Sequence, residues 1–146
     1  MAVVAVLLSA AALVVGLTRG GGGLSTASTS TSAPPAYTQE EAAAAHQKLC
    51  DTYRLAARSV DIDTNTDNRA LADAVSANAA VMLQQAVSSS PAMPPGDRVA
   101  ALALAAAYTK ATAMGSALWR DDPVFRSEID DVNAKDAVMK KICSGG

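Results

Sequence analysis

Two cysteines constrain this chain more than any other feature: Cys50 and Cys143 are the only ones present, and each falls on an apolar stripe of helical spacing. A bond between them requires their Cα atoms to come within roughly 7 Å. Helices that are first and last along the sequence must then be neighbours in space. Up-down-up-down bundles with short connections meet that condition.

The helical stripes are read from residue spacing. The first opens at Thr38, followed by Glu41 in the spacing of a capping box, in which each side chain satisfies the other residue's backbone N–H. Ala42, His46, Leu49, Tyr53, Ala56 and Val60 then recur at alternating fours and threes, the pattern of a helix packed nearly parallel to a neighbour. The run Asp61 to Asn68 is predicted to break it, since Asp, Asn and Thr side chains compete for backbone hydrogen bonds. A second helix is predicted from Thr66 or Asp67 to about Ser88, with Leu71, Val75, Asn78, Met82 and Ala86 facing inward. Prolines at 91, 94 and 95 end it. The third, from Pro95 or Gly96 to Leu118, is very rich in Ala, and Val99, Leu102, Ala106, Thr109, Ala113 and Tyr108 are its predicted inner residues. In the fourth, Asp122 caps and Pro123 takes the first helical position. Phe125, Ile129, Val132, Asp136, Met139 and Cys143 follow on one face.

The predicted fold class is therefore all-α, an antiparallel four-helix bundle, behind an N-terminal transmembrane helix and a flexible tether. Cys143 ends the fourth helix while Cys50 lies about three turns into the first. The segment Thr38 to Gln47 is accordingly predicted to project beyond the bundle.

Residues 1–18 are read as a transmembrane anchor, since Met1 to Leu17 holds no charged residue and spans about 26 Å as a helix, close to the hydrocarbon core of a bilayer. The alternative is a cleaved leader, with Ser25-Thr26-Ala27 or Thr31-Ser32-Ala33 at the cleavage point. Residues 19–36, rich in Gly, Ser, Thr and Pro, read as a flexible linker. Residues 37–146 form the helical domain. Arg19 on the C-terminal side of the span favours a cytoplasmic domain by the positive-inside rule. Paired cysteines and a Ser/Thr/Pro-rich linker favour the extracytoplasmic side, and that orientation is adopted.

The chemistry of the chain is sparse. Its net charge is −2, with acids and bases interspersed, so nucleic acid is not a predicted partner. His46 and Cys50 share a helix face, yet one His and two Cys fall short of a structural zinc site, so no metal and no cofactor is predicted. Cys–His or Ser–His–Asp catalysis is not predicted either, because no carboxylate is placed in sequence to orient the single His. Asp136 lies on an apolar stripe and needs a polar partner. Tyr53, Asn78, Thr109 and Asp136 form a candidate buried polar network, and Arg54 is a further partner for Asp136. Lined by small Ala side chains, the same residues would border a ligand-sized cavity.

Leu49-Cys50-Asp51-Thr52-Tyr53, Thr64 to Asn68, Tyr108 with Thr112-Ala113-Met114-Gly115, and Asp130 to Asp136 before Cys143 carry a resemblance. The region from Cys50 to Cys143 resembles mycobacterial and related actinobacterial membrane proteins described as alanine- and proline-rich. The resemblance implies one N-terminal span, an extracytoplasmic domain and a basic, Pro-rich segment before the span. It brings no catalytic residue. Taken together, the expectation is a membrane-anchored extracytoplasmic helical module for protein interaction or envelope association, without catalysis; the alternative is a small-ligand-binding bundle.

Overall fold

The computed structural model describes residues 36–145. The anchor at 1–18 and nearly all of the linker at 19–36 lie outside the described residues. Within them are four helices, α1 (Gln39–Thr64), α2 (Arg69–Ser88), α3 (Pro95–Ala117) and α4 (Pro123–Ser144). Among the described residues there is no strand, and no helix is long and apolar enough to cross a membrane.

Side-chain bridges fix the directions of the helices. Lys48 in the first half of α1 donates to Ser89 just past α2, and Arg69 at the start of α2 donates to the Leu118 carbonyl just past α3. Lys110 late in α3 pairs with Glu128 early in α4. Each consecutive pair is thus antiparallel. Cys50 and Cys143 are bonded, with Cα atoms 5.3 Å apart, across a sequence separation of 93. The helices pack closely in the order α1, α2, α3, α4, whereas α1 and α4 have few close backbone approaches.

The caps follow from side-chain chemistry. Thr38 Oγ1 accepts from the Glu41 N–H at 3.1 Å, and Glu41 Oε2 accepts from the Thr38 N–H at 2.8 Å. Asp122 Oδ1 accepts from the Val124 N–H at 2.8 Å, ahead of Pro123 at the first position of α4. The predicted break at Asp61 comes later, because α1 runs on to Thr64. Polar residues here close the helix instead of interrupting it. Thr64 Oγ1 donates to the Val60 carbonyl at 2.6 Å and Asn65 Nδ2 to that of Asp61 at 2.5 Å. Asn68, and neither Thr66 nor Asp67, caps α2.

One large apolar side chain from each helix is fully buried: Leu49, Leu83, Leu104 and Met139. Around this layer lie Tyr53, Ala56, Ala79, Ala80, Ala101, Ala105, Tyr108 and the disulfide. Fully burying side chains of this size stabilises by about 1.5–3 kcal/mol each. The inner face of α1 is as the spacing predicts. On α3 Tyr108 is buried as predicted, but Val99, Leu102, Ala106, Thr109 and Ala113 are exposed, and Ala101, Leu104, Ala105, Ala107, Ala111 and Gly115 are buried in their place. When nearly every position is Ala, apolar periodicity has no preferred phase, and Leu104 with Tyr108 one turn later decides which face turns inward.

Two smaller corrections follow from the same packing. On α2 the covered residues are Ala79, Ala80, Leu83, Ala86 and Val87, which leaves Asn78 in solvent. The overhang of α1 is shorter than predicted and stops at Ala44, since Ala45 is buried and His46 meets the first turn of α3.

Candidate functional site

Three polar arrangements and one groove are candidates. The first is the network read from sequence. Tyr53 Oη donates to Asp136 Oδ1 at 2.7 Å, and Asp136 Oδ2 accepts from Lys140 Nζ at 2.8 Å. Asn78 and Thr109 stand apart from it: Asn78 is exposed with Nδ2 3.5 Å from its own helix's Met82 sulfur, and Thr109 donates to the Ala105 carbonyl of its own helix. Tyr108 takes the place predicted for them, close enough to feel the charge of Asp136. Arg54 bridges instead to the Cys143 carbonyl at 2.9 Å. Burial, then the hydrogen bond and charge of Asp136, push the Tyr53 hydroxyl well above its ordinary pKa. Burial and the same carboxylate push Tyr108 up as well. Two phenols around one carboxylate thus bring α1, α3 and α4 together.

The second is Glu128. Spacing places Ile129 inside, yet Ile129 is exposed and the neighbouring carboxylate of Glu128 is buried, with Lys110 as its partner. Glu128 Oε1 has no hydrogen-bond partner. The hydrogen bond and the charge of Glu128 raise the Lys110 pKa. No second ligating group joins it, and among the described residues no His, Cys, Asp and Glu group has the geometry of a metal centre.

The third corrects the expectation that nothing orients His46. Its Nδ1 lies 2.7 Å from Oδ2 of Asp97 on α3, and its Nε2 lies 3.7 Å from the Sγ of Cys50. The Asp97 side chain is mostly covered and that of His46 about two-thirds covered. A sulfur, an imidazole and an orienting carboxylate are therefore neighbours in that order, with the sulfur in the disulfide. Sequence gave no signal for Asp97, which sits 51 positions from His46 in the first turn of α3, where an acid is expected for the helix dipole alone.

The groove runs between the start of α3 and the end of α4. Val99, Ala100, Ala103, Val138 and Ile142 make its walls, Asp97 and Lys135 mark its two ends, and its volume is about 620 Å³. Val99 is 68% exposed and Val138 51%. Val99 is one of the residues whose outward rotation the Ala-rich pattern of α3 concealed. Compared with known proteins, the chain matches no family model, no curated protein and no solved structure.

Proposed function

We propose that this chain is a membrane-anchored helical interaction module held outside the cytoplasm, and that it receives an apolar helical segment of a partner protein in the α3–α4 groove. The groove carries this reading. Branched apolar side chains stand exposed along both walls, and such clusters rimmed by polar residues mark interaction surfaces. From Asp97 to Ala103 the floor is about 9 Å long, room for two or three side chains from one face of a docked helix. The filled layer of Leu49, Leu83, Leu104 and Met139 favours a surface interaction over a ligand enclosed between the helices. The Cys50–Cys143 bond and the apolar run at 1–18 support the proposed anchoring and side of the membrane.

Site-specific photocrosslinking of the full chain in its native membrane tests this. A benzophenone side chain at Val99 or Val138 is expected to capture one and the same protein, and Ile142→Glu to abolish that capture with the fold intact. Probes at Leu55 and Val81, exposed on α1 and α2, are expected to miss it. Equal capture from all four positions sinks the proposal, and recovery of a small apolar molecule at Val99 and Val138 moves the chain to the ligand binders.

A further inference from the structure

We infer that the Cys50–Cys143 disulfide is a thiol–disulfide exchange site, in which an external thiol attacks Cys143 and His46, oriented by Asp97, protonates Cys50 as it leaves. The two sulfurs are not equivalent. Only Cys50 has an imidazole beside it, at 3.7 Å. Hydrogen bonding of Nδ1 to Asp97 fixes the ring so that Nε2, the other nitrogen, faces that sulfur. A protonated imidazole next to a departing thiolate stabilises it, and a better leaving sulfur is displaced faster.

Both cysteines are buried, Cys143 with 7% of its surface exposed and Cys50 with 3%, so an outside thiol gains access where the chain end next to Cys143 opens. Cys143 sits in the last turn of α4, one position before the exposed Ser144 and Gly145. Carbonyls in a final helical turn lack onward partners, so such a turn opens at lower cost than the middle of a helix. The Cys143 carbonyl is held from outside α4 by Arg54 alone. Cys50, in contrast, lies in mid-helix beneath His46 and beside the fully buried Leu49.

The step balances as follows. A thiolate RS⁻ attacks Cys143 Sγ, an RS–Cys143 bond forms, the Cys143–Cys50 bond breaks, and its electron pair goes to Cys50. His46 Nε2 gives that sulfur its proton and regains one from solvent, where the attacking thiol released its own. A second thiolate attacks the RS sulfur of the mixed disulfide, RSSR leaves, and Cys143 takes up a proton. Two thiols are oxidised to one disulfide and the protein gains two hydrogens. In reverse the same groups take a small disulfide and re-form the protein's bond. The substrate class is therefore a low-molecular-weight thiol or its disulfide.

The test follows reduction of the oxidised full chain by excess dithiothreitol at neutral pH, without denaturant. His46→Gln is expected to slow reduction by about a hundredfold, the low end of what a positioned proton donor contributes, and Asp97→Asn to slow it by less. A merely structural role for His46 predicts the opposite sign, because loosening the helix exposes the bond and speeds its reduction. A rate unchanged or raised in His46→Gln overturns the inference. With glutathione as reductant and rapid alkylation, a trapped adduct on Cys143 with alkylated Cys50 supports the assigned direction, and an adduct on Cys50 overturns it.

Discussion

Replacing both cysteines, as Cys50→Ala with Cys143→Ala, removes the one covalent tie between α1 and α4. With a separation of 93, the chain-entropy treatment gives a loss of about 4.7 kcal/mol at 25 °C. A domain of this size has a total stability of roughly 5–15 kcal/mol, so the double variant is left with a small margin or none. What remains between α1 and α4 is limited. The Tyr53–Asp136 bond and the Arg54 bond to the Cys143 carbonyl are worth about 1.5–3 kcal/mol each at most, because each involves a charged group. Close backbone approaches between these two helices are few. The assay is urea unfolding of the full chain followed by circular dichroism at 222 nm. At a slope of about 1.5 kcal/mol per molar, the midpoint is expected to fall by about 3 M. A fall of less than about 1 M would refute the reasoning, since it would mean that α1 and α4 are held together by packing without the bond.

Stability is expected to decline above pH 10. The folded-state pKa values of Tyr53 and Tyr108 are raised, so their contribution is complete below the unfolded tyrosine value and is lost as pH climbs toward the folded values. Each can add up to about 1.4 kcal/mol per pH unit to the slope. Tyr53→Phe and Tyr108→Phe should each flatten it in alkaline urea titrations, and an unchanged slope in both counts against the placement of Asp136 between them. Met139→Ala, in the fully buried layer, is expected to cost about 2–5 kcal/mol by the same assay, and a cost under 1 would show that the layer collapses around the void. Lys110→Met leaves the buried Glu128 carboxylate without its cation and is expected to lower Tm more than Lys110→Met combined with Glu128→Leu, an order read by calorimetry and contrary to simple additivity.

How much of this was legible in sequence varies helix by helix, for physical reasons. In α1, large apolar residues alternate with Gln, Lys, Asp and Arg, so one face alone can be buried, and Leu49, Tyr53 and Ala56 are found there. The same contrast made the disulfide legible, since it places Cys50 and Cys143 on inner faces. In α3 the contrast is missing. Ala contributes similar apolar area in any direction, and Val99 and Leu102, which look like core residues, end up on the outside. The α3 wall of the groove, which includes Val99, was therefore invisible before the fold was known. In α4, Glu128 is turned inward in preference to Ile129 because a cation on the facing helix, Lys110, can meet it. Facing helices cannot be paired from a single sequence at residue resolution, which also hid Asp97 from His46 and left Asn78 and Thr109 in a network they do not join.

The distribution of the core explains why both the groove and the His46–Asp97 pair lie at one end. Every residue of the main buried cluster comes from the part of each helix nearest the disulfide, between 45 and 60 on α1, 79 and 87 on α2, 100 and 108 on α3, and 132 and 143 on α4, with Ala92 and Met93 from the connection. Residues 61–78 and 111–131 add nothing to it. The far end instead holds the ion pair of Glu128 and a close approach at Gly115, where an added Cβ would lie 3.1 Å from Asp73 and 3.5 Å from the ring of Phe125. A buried carboxylate contributes little net stability, whereas stacked Leu, Met and Tyr side chains contribute much. Large apolar side chains are therefore concentrated toward the stapled end of the bundle, and that end is the part able to hold an imidazole and a carboxylate beside a sulfur.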